Sequence, residues 1–320
     1  MSSTMTPQTE ATLLLGWWNT SLSPVGKQRA DARSQQIAET VVKILIDIEG
    51  LDCLALGEVT SEDLQSLKKS IDSTHYDVDW GEMRKSRLFF DVGIIYNTQR
   101  LYLNDSRLVV DRHGKQALKV ARRIDFTIIE TNEPVHIFIS HWPSRLWCSE
   151  HDAKRDTLGL RLRDAVEGMK EEYPDSYDPQ VILLGDYNDE PFARSLAEHL
   201  PASRDRTLVN LNAHYFYNPF WRLLGESLPH SKNMTSKSYA GTYFHKKGNV
   251  TRWRTFDQIL VSSSFLQKDR WYLNEEYTTI WRHPPLDDLV ENPGEIFDHF
   301  PVISVIQRQR DQQPHGEQDD

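Results

Sequence analysis

The chain has 320 residues, and 37 Lys+Arg against 47 Asp+Glu leave a formal net charge of −10. Hydrophobic residues make up 38% and charged residues 26%, with 9 Trp, 12 Tyr and 12 Phe, which excludes bulk disorder and provides for a packed core. The negative balance excludes non-specific adhesion to nucleic acid over the whole surface and leaves room only for a local basic groove.

Residues 1–10 are polar and read as a disordered N-terminal segment, 11–306 as a single domain, and 307–320 as a polar tail. The first ten residues carry no basic region, and the apolar run 11–15 is too short for a secretory leader. No stretch approaches the ~18 apolar residues of a membrane span. Two cysteines, Cys53 and Cys148, are too few for a disulfide framework, so a reducing, cytoplasmic setting is expected.

In chain order, an apolar run at 13–15 predicts a first strand. A helix over 29–49 follows, with its stripe at Ile37, Val41, Ile44 and Ile48 and its stop at Gly50. A strand is expected at 51–56, a helix at 62–71, and strands at 89–96, 108–110, 124–129 and 135–139. The stripe Leu158, Leu162, Ala165 and Met169 predicts a helix over 149–170, with Ser149 and Asp152 as an N-cap pair. Strands at 181–184, 258–261 and 302–306 complete the series. Strands and helices interleave, yet several strands follow one another directly, so an α/β fold with mixed sheets is expected. No internal repeat is visible. The aromatic and basic stretch 202–254 lacks a clean period and reads as long functional loops.

The chemistry-bearing residues fall at strand ends. Asn19 lies just past the first strand, Glu58 follows the second, His141 follows 135–140, and Asp186 and Asn188 follow 181–185. Asp257 precedes Ile259, and Asp298 and His299 precede Val302. Ends of strands running up and starts of strands running down share one edge, so these residues are expected on a single rim. Carboxylates and an amide without a thiolate favour a hard divalent cation, Mg²⁺ or Mn²⁺, over Zn²⁺. Two histidines and spare aspartates then suit attack of water on a phosphoester. His113, His136, His214, His245 and His283 read as surface, loop or packed residues.

The pieces Trp17-Trp18-Asn19, Gly57-Glu58, Ser140-His141-Trp142-Pro143-Ser144-Arg145, Gly185-Asp186-Tyr187-Asn188-Asp189, Phe256-Asp257-Gln258-Ile259-Leu260 and Asp298-His299 run in one order along nearly the whole chain. In that order the chain resembles the endonuclease/exonuclease/phosphatase (DNase I-like) superfamily. The resemblance implies a four-layer α/β/β/α sandwich of two mixed sheets. It implies a metal at Glu58, with Asn19 beside it and Asp298 as a further or water-mediated ligand. His299 is expected to act on the attacking water or to hold the scissile phosphate, oriented by Asp257. Asp186 is expected to assist proton transfer, Asn188 to bond a phosphate oxygen, and His141 to contact the phosphate and help the leaving oxygen. Asp186 and His299 remain alternative general bases, and Asp91 is the candidate for a second acidic residue. Ser144, Arg145, Arg252, Trp253 and Arg254 are the expected substrate contacts, since basic groups beside aromatic rings suit a nucleic-acid strand.

The leading expectation is a divalent-metal-dependent phosphodiester hydrolase, a nuclease preferring DNA to RNA. One alternative is a phosphatase or phosphodiesterase acting on a small or lipid phosphoester such as a phosphoinositide, sphingolipid or nucleotide. The other is a non-catalytic binding module, against which the full set of polar residues counts.

Overall fold

Runs of apolar residues that bury both faces make the central strands, and the computed structural model describes residues 10–174, 177–225 and 239–309. The segment 1–9 and the end of the expected tail, 310–320, lie outside the described residues. Along the chain come β1 (Glu10–Asn19), α1 (Ala32–Lys43), β2 (Cys53–Gly57), α2 (Ser61–Ser70), β3 (Tyr76–Asp79), β4 (Val92–Asn97), β5 (Leu101–His113) and β6 (Gln116–Ile128). They are followed by β7 (Glu133–His141), α3 (Ala153–Lys170), β8 (Gln180–Asp186), β9 (Asp257–Ser262), β10 (Tyr272–Ile280) and β11 (Val302–Gln309).

The strands form two mixed sheets, ordered β10-β11-β1-β2-β4-β3 and β9-β8-β7-β6-β5. The second is extended beyond β9 by the short strands Phe216–Tyr217 and Ala202–Ser203. Each sheet is centred on one parallel pair, β1 with β2 and β7 with β8, flanked by antiparallel neighbours, and the two short strands at the edge of the second sheet are parallel to each other. The same pattern of strand directions therefore occurs twice, without a repeat in the sequence.

Alternation along β8 builds the layers. Ile182 and Leu184 join the core that contains Leu13, Leu15 and Trp17 of β1, and α1 and α2 pack into the same core through Val41, Val42, Leu64 and Leu67. Val181 and Leu183 join a second core with Leu158, Leu162 and Val166 of α3. The result is the four-layer α/β/β/α sandwich. Each fully buried Leu or Val contributes about 1.5–3 kcal/mol of transfer free energy, so α3 is held mainly by its apolar stripe.

Several boundaries differ from expectation. The first helix starts later, because Asp31 caps it by accepting from Ser34 N at 2.8 Å, and it ends in a wide turn, Ile44–Ile48. Thr60 and Asp63 cap α2 reciprocally. Asp152 alone caps α3, through Lys154 N at 2.9 Å, which leaves Ser149 in the preceding loop. Asp91 interrupts the expected strand 89–96, so β4 begins at Val92. The expected strand 108–110 is the middle of a thirteen-residue strand, β5. Two edge strands were not expected, β3 and the polar β10, whose residues are mostly exposed or half-buried. β11 runs to Gln309, so the first residues of the expected tail belong to the sheet. Both cysteines are buried and free. Among the described residues no helix is long and apolar enough to cross a membrane.

Candidate active site

The central parallel pairs end at the same edge. Asn19 of β1 stands opposite Gly57, and Asp186 of β8 stands opposite both His141 of β7 and Asp257 of β9. The Asn19 amide donates to Asp186 Oδ2 at 3.2 Å, which joins the two sheets at the rim. Gly185 is required here: its φ is +149°, and a Cβ would lie 1.8 Å from the Ser140 carbonyl oxygen of the parallel neighbour. Ser21, Glu58 and Asn188 also have positive φ, at 56°, 53° and 51°, and all three line one cavity. Backbone strain of this kind concentrates at functional sites.

Two imidazoles face each other across Asp186. Nδ1 of His299 donates to Asp257 Oδ2 at 2.7 Å, and Nδ1 of His141 donates to Asp91 Oδ2 at 3.0 Å. Their Nε2 atoms lie 3.8 and 3.9 Å from the same Asp186 oxygen. Asp257 is further fixed by the Trp17 indole N–H at 2.8 Å, and Asp91 by Lys119. Each pair crosses from one sheet to the other. Asp257 opens β9 and holds an imidazole that precedes β11, while Asp91 precedes β4 and holds an imidazole at the end of β7.

The electrostatics follow from this packing. Burial disfavours the His299 imidazolium, but the Asp257 carboxylate outweighs it and pushes the pKa up to about 10. His141 is likewise raised against burial, chiefly by Asp91. Asp91 is held well below the usual carboxylate range because His141 and Lys119 overcome its burial. Asp186 is raised by burial and by the neighbouring Asp257. Burial raises the Glu58 carboxyl, partly offset by His141 and reinforced by Asp91 and Asp298.

Among the described residues no donor hydrogen-bonds the Glu58 carboxylate, and its closest ion-pair contact is His141 Nε2 at 4.0 Å. A largely buried carboxylate without donors is a fitting ligand for a hard cation. Asp298 lies in the same cavity and accepts from Ser21 Oγ at 3.1 Å through one oxygen. Asn19 is spent on Asp186 through its N–H₂ and on Ser21 N through its carbonyl. Asp186, Asp257 and His299 also present ligand atoms within 4.8 Å of one another. Both Asp257 oxygens already accept hydrogen bonds, however, so Glu58 with Asp298 is the better donor set.

The site opens into a cavity of about 910 Å³ lined also by Lys27, Arg29, Ser144, Arg145, Leu146, Trp147, Tyr243, His245, Lys246, Arg254 and Phe256. Of the expected substrate contacts, Ser144, Arg145 and Arg254 line this cavity. Arg252 and Trp253 do not. The Trp253 ring packs on Phe300 at 5.8 Å, Tyr239 at 5.3 Å and Phe244 at 4.9 Å, and Arg252 lies over Phe244 outside the cavity lining. Apolar packing claims that tryptophan, and strand alternation in the pair Tyr243–Phe244 with Trp253–Arg254 turns only some of these side chains to the cavity. Arg145 donates to the Asn188 carbonyl at 3.0 Å and pairs with Glu150 and Asp189, so its charge is largely balanced. Asn188 spends one amide N–H on the Trp142 carbonyl at 3.0 Å.

Sequence reasoning missed Lys119 behind Asp91, and it did not place Tyr243, whose ring lies 4.6 Å from that of His299, at the imidazoles. Tyr243 was one of several loop aromatics able to stack on a base, with nothing in the sequence to set it apart from the others. His245, read as a loop residue, lines the cavity. His136 is buried on β7 against Asp125 and Tyr173.

A sequence model of the Endonuclease/Exonuclease/phosphatase family matches residues 25–288. No curated protein matches the chain. Among solved structures, an endonuclease/exonuclease/phosphatase family protein from Bacteroides thetaiotaomicron is similar with a TM-score of 0.57 and 16% identity, over 95% of this chain and 100% of that one. A mannosyl-6-phosphatase of the same organism gives 0.56 and 15%, over 92% and 99%. D. rerio TDP2 complexed with a single-strand DNA product gives 0.57 and 16%, over 92% and 99%.

Proposed function

The chain belongs to the endonuclease/exonuclease/phosphatase family and is therefore a phosphoester hydrolase, and we propose that its substrates are nucleic-acid phosphodiesters, DNA before RNA. The observation that carries the chemistry is the pair of aspartate-braced imidazoles on either side of Asp186. Two cationic N–H groups aimed at one point suit a phosphate whose charge grows toward the transition state. His299 and His141 hold non-bridging oxygens, and His141 donates its Nε2 proton to the leaving oxygen. Asp186, within reach of both rings, accepts the proton of the attacking water. Asn188 contributes its remaining amide N–H to a phosphate oxygen.

Glu58 and Asp298, with Asn19 beside them, would hold a divalent cation, Mg²⁺ or Mn²⁺. When bound, such a cation supplies Lewis-acid charge against the phosphoryl oxygens. The DNA preference is supported by the TDP2 neighbour with its DNA product, and a polymeric substrate by the basic lining residues Lys27 and Lys246. The mannosyl-6-phosphatase neighbour supports the second reading, a small phosphoester.

The test compares plasmid DNA, RNA, bis-p-nitrophenyl phosphate and a sugar phosphate, each with Mg²⁺, Mn²⁺ or EDTA. Glu58→Gln keeps the side-chain shape but removes the charge, and activity is expected to fall by at least ~10², the scale of one lost transition-state contact. Full activity in EDTA, or in Glu58→Gln with Mg²⁺, overturns the metal reading. Turnover of the sugar phosphate without cleavage of either nucleic acid overturns the substrate reading.

A further inference from the structure

Between β7 and α3 the chain makes a tight turn that leaves two large apolar side chains in water. Leu146 is 83% exposed and Trp147 is 82% exposed, although both line the cavity that holds the imidazoles. Among the described residues the Trp147 indole N–H has no acceptor and its ring stacks on no other. The turn beneath them is rigidly built. The Ser144 carbonyl accepts from Trp147 N and Cys148 N, both at 3.0 Å, and Cys148 is buried. Arg155, itself only 1% exposed, donates to the carbonyls of Pro143, Cys148 and Ser149 and pairs with Asp189 at 3.5 Å. A buried guanidinium thus clamps the base of the turn while the tip stays bare. A tryptophan held at the mouth of a cavity leaves its apolar surface in water, and exposed apolar surface beside a cavity marks a binding site.

The cavity also carries flat groups. His245 and Tyr243 stack at 6.1 Å, Tyr243 and Phe256 at 5.3 Å, and the Arg145 guanidinium lies 4.8 Å over Phe256. Tyr243 in turn abuts His299. Planar surfaces therefore continue away from the imidazoles, and among the described residues no ring or guanidinium lies against Trp147.

We propose that Trp147, backed by Leu146, is a stacking platform for a nucleobase of the substrate strand, so that the enzyme selects phosphodiesters that carry bases close to the scissile bond. This rests on the nucleic-acid reading of the site and adds the group that recognises the base. A planar, exposed ring matches a base, whose own face is planar and apolar with polar edges. Lys27 and Lys246 in the same cavity suit the backbone phosphates between base and imidazoles. Two side chains give little area for an acyl chain.

The experiment uses a short single strand and the same strand with stable abasic residues around the cleavage position, each with Mg²⁺. The wild type is expected to show a kcat/KM higher on the base-bearing strand by about tenfold or more, within what one base stacked on an aromatic side chain supplies. In Trp147→Ala that ratio is expected to fall toward one, and Trp147→Phe is expected to retain most of it. Matching thermal unfolding curves check that both variants fold. Equal cleavage of the two strands by the wild type overturns the platform and leaves the nuclease reading intact. No cleavage of either strand, with turnover of a sugar phosphate, overturns the nuclease reading itself. If Trp147→Ala keeps the strand ratio but loses binding to vesicles of phosphatidylcholine and phosphatidylserine, the platform is overturned in favour of a lipid surface.

Discussion

The Asp257 carboxylate accepts two hydrogen bonds and is fully buried, which separates its duties atom by atom. Oδ1 accepts from Trp17 and ties β9 to β1, whereas Oδ2 keeps the His299 imidazole charged and fixes the direction of its Nε2 N–H. Asp257→Asn keeps the first contact and weakens the second, so kcat is expected to fall by about 10², the scale of one weakened transition-state charge contact. His299→Ala removes the ring altogether and is expected to cost more. Trp17→Phe offers the opposite dissection, because it removes the first contact and leaves the second. If Asp257→Asn lowers the melting temperature but leaves the rate of the folded enzyme unchanged, the aspartate serves the sheets and not the reaction.

At the level of elements, a polar cluster locks β6, β7 and the end of α3 together. Asp125 accepts from His136 Nδ1 at 2.7 Å and from Arg123 Nε at 2.8 Å, and Arg123 reaches Glu172 beyond α3. Burial raises the Asp125 pKa, but these two donors outweigh it and leave it lowered from 3.8 to about 2. The folded form therefore holds the proton less readily than the unfolded chain. The associated stabilisation, about 2 kcal/mol, is fully present above pH 3.8 and is lost as pH falls toward 2. Asp125→Asn is expected to lower the urea midpoint at neutral pH, and the gap to the wild type is expected to narrow over that acid window. A gap that stays constant with pH would assign the loss to packing instead.

The same strands show what a sequence can disclose. β7 and β8 are apolar runs that stop at His141 and Asp186, so the polar rim could be read from strand ends alone. β3 and β10 could not, because edge strands with exposed faces lack the apolar alternation that marks a strand. The Asp91 brace was visible only as an acidic residue inside an apolar run, and its partner Lys119 sits two strands away in sequence. Trp253 misled for the converse reason. A tryptophan between two arginines looks like a base-stacking loop until Phe300, Tyr239 and Phe244 are brought around it.

Across the whole molecule, the acidic balance repels a polyanion, and binding must be won in the cavity. Lys27 forms no ion pair among the described residues, while Arg254 pairs at 3.6 Å with Glu190. In a His299→Ala background, affinity for a short strand is expected to fall with salt by ~0.7–0.9 log units for each phosphate contact. Replacing Lys27 and Arg254 by Ala should make that slope shallower by one to two contacts' worth. Arg252→Ala, outside the cavity, should leave it unchanged. A slope indifferent to Lys27 and Arg254 would place the strand on another face.

Each imidazole is held by a carboxylate from the opposite sheet, one reaching across in each direction, so the catalytic geometry acts as a vernier on the alignment of the two halves. A slip that left every strand ladder intact would still pull both braces out of line, and a displacement of about 1 Å can cost 10²-fold in rate. Turnover in rising urea is therefore expected to fade before far-UV circular dichroism changes, with the two curves separated along the denaturant axis. Coincident curves would mean that the halves part company only when the whole chain unfolds, and that the seam between them is as strong as either sheet.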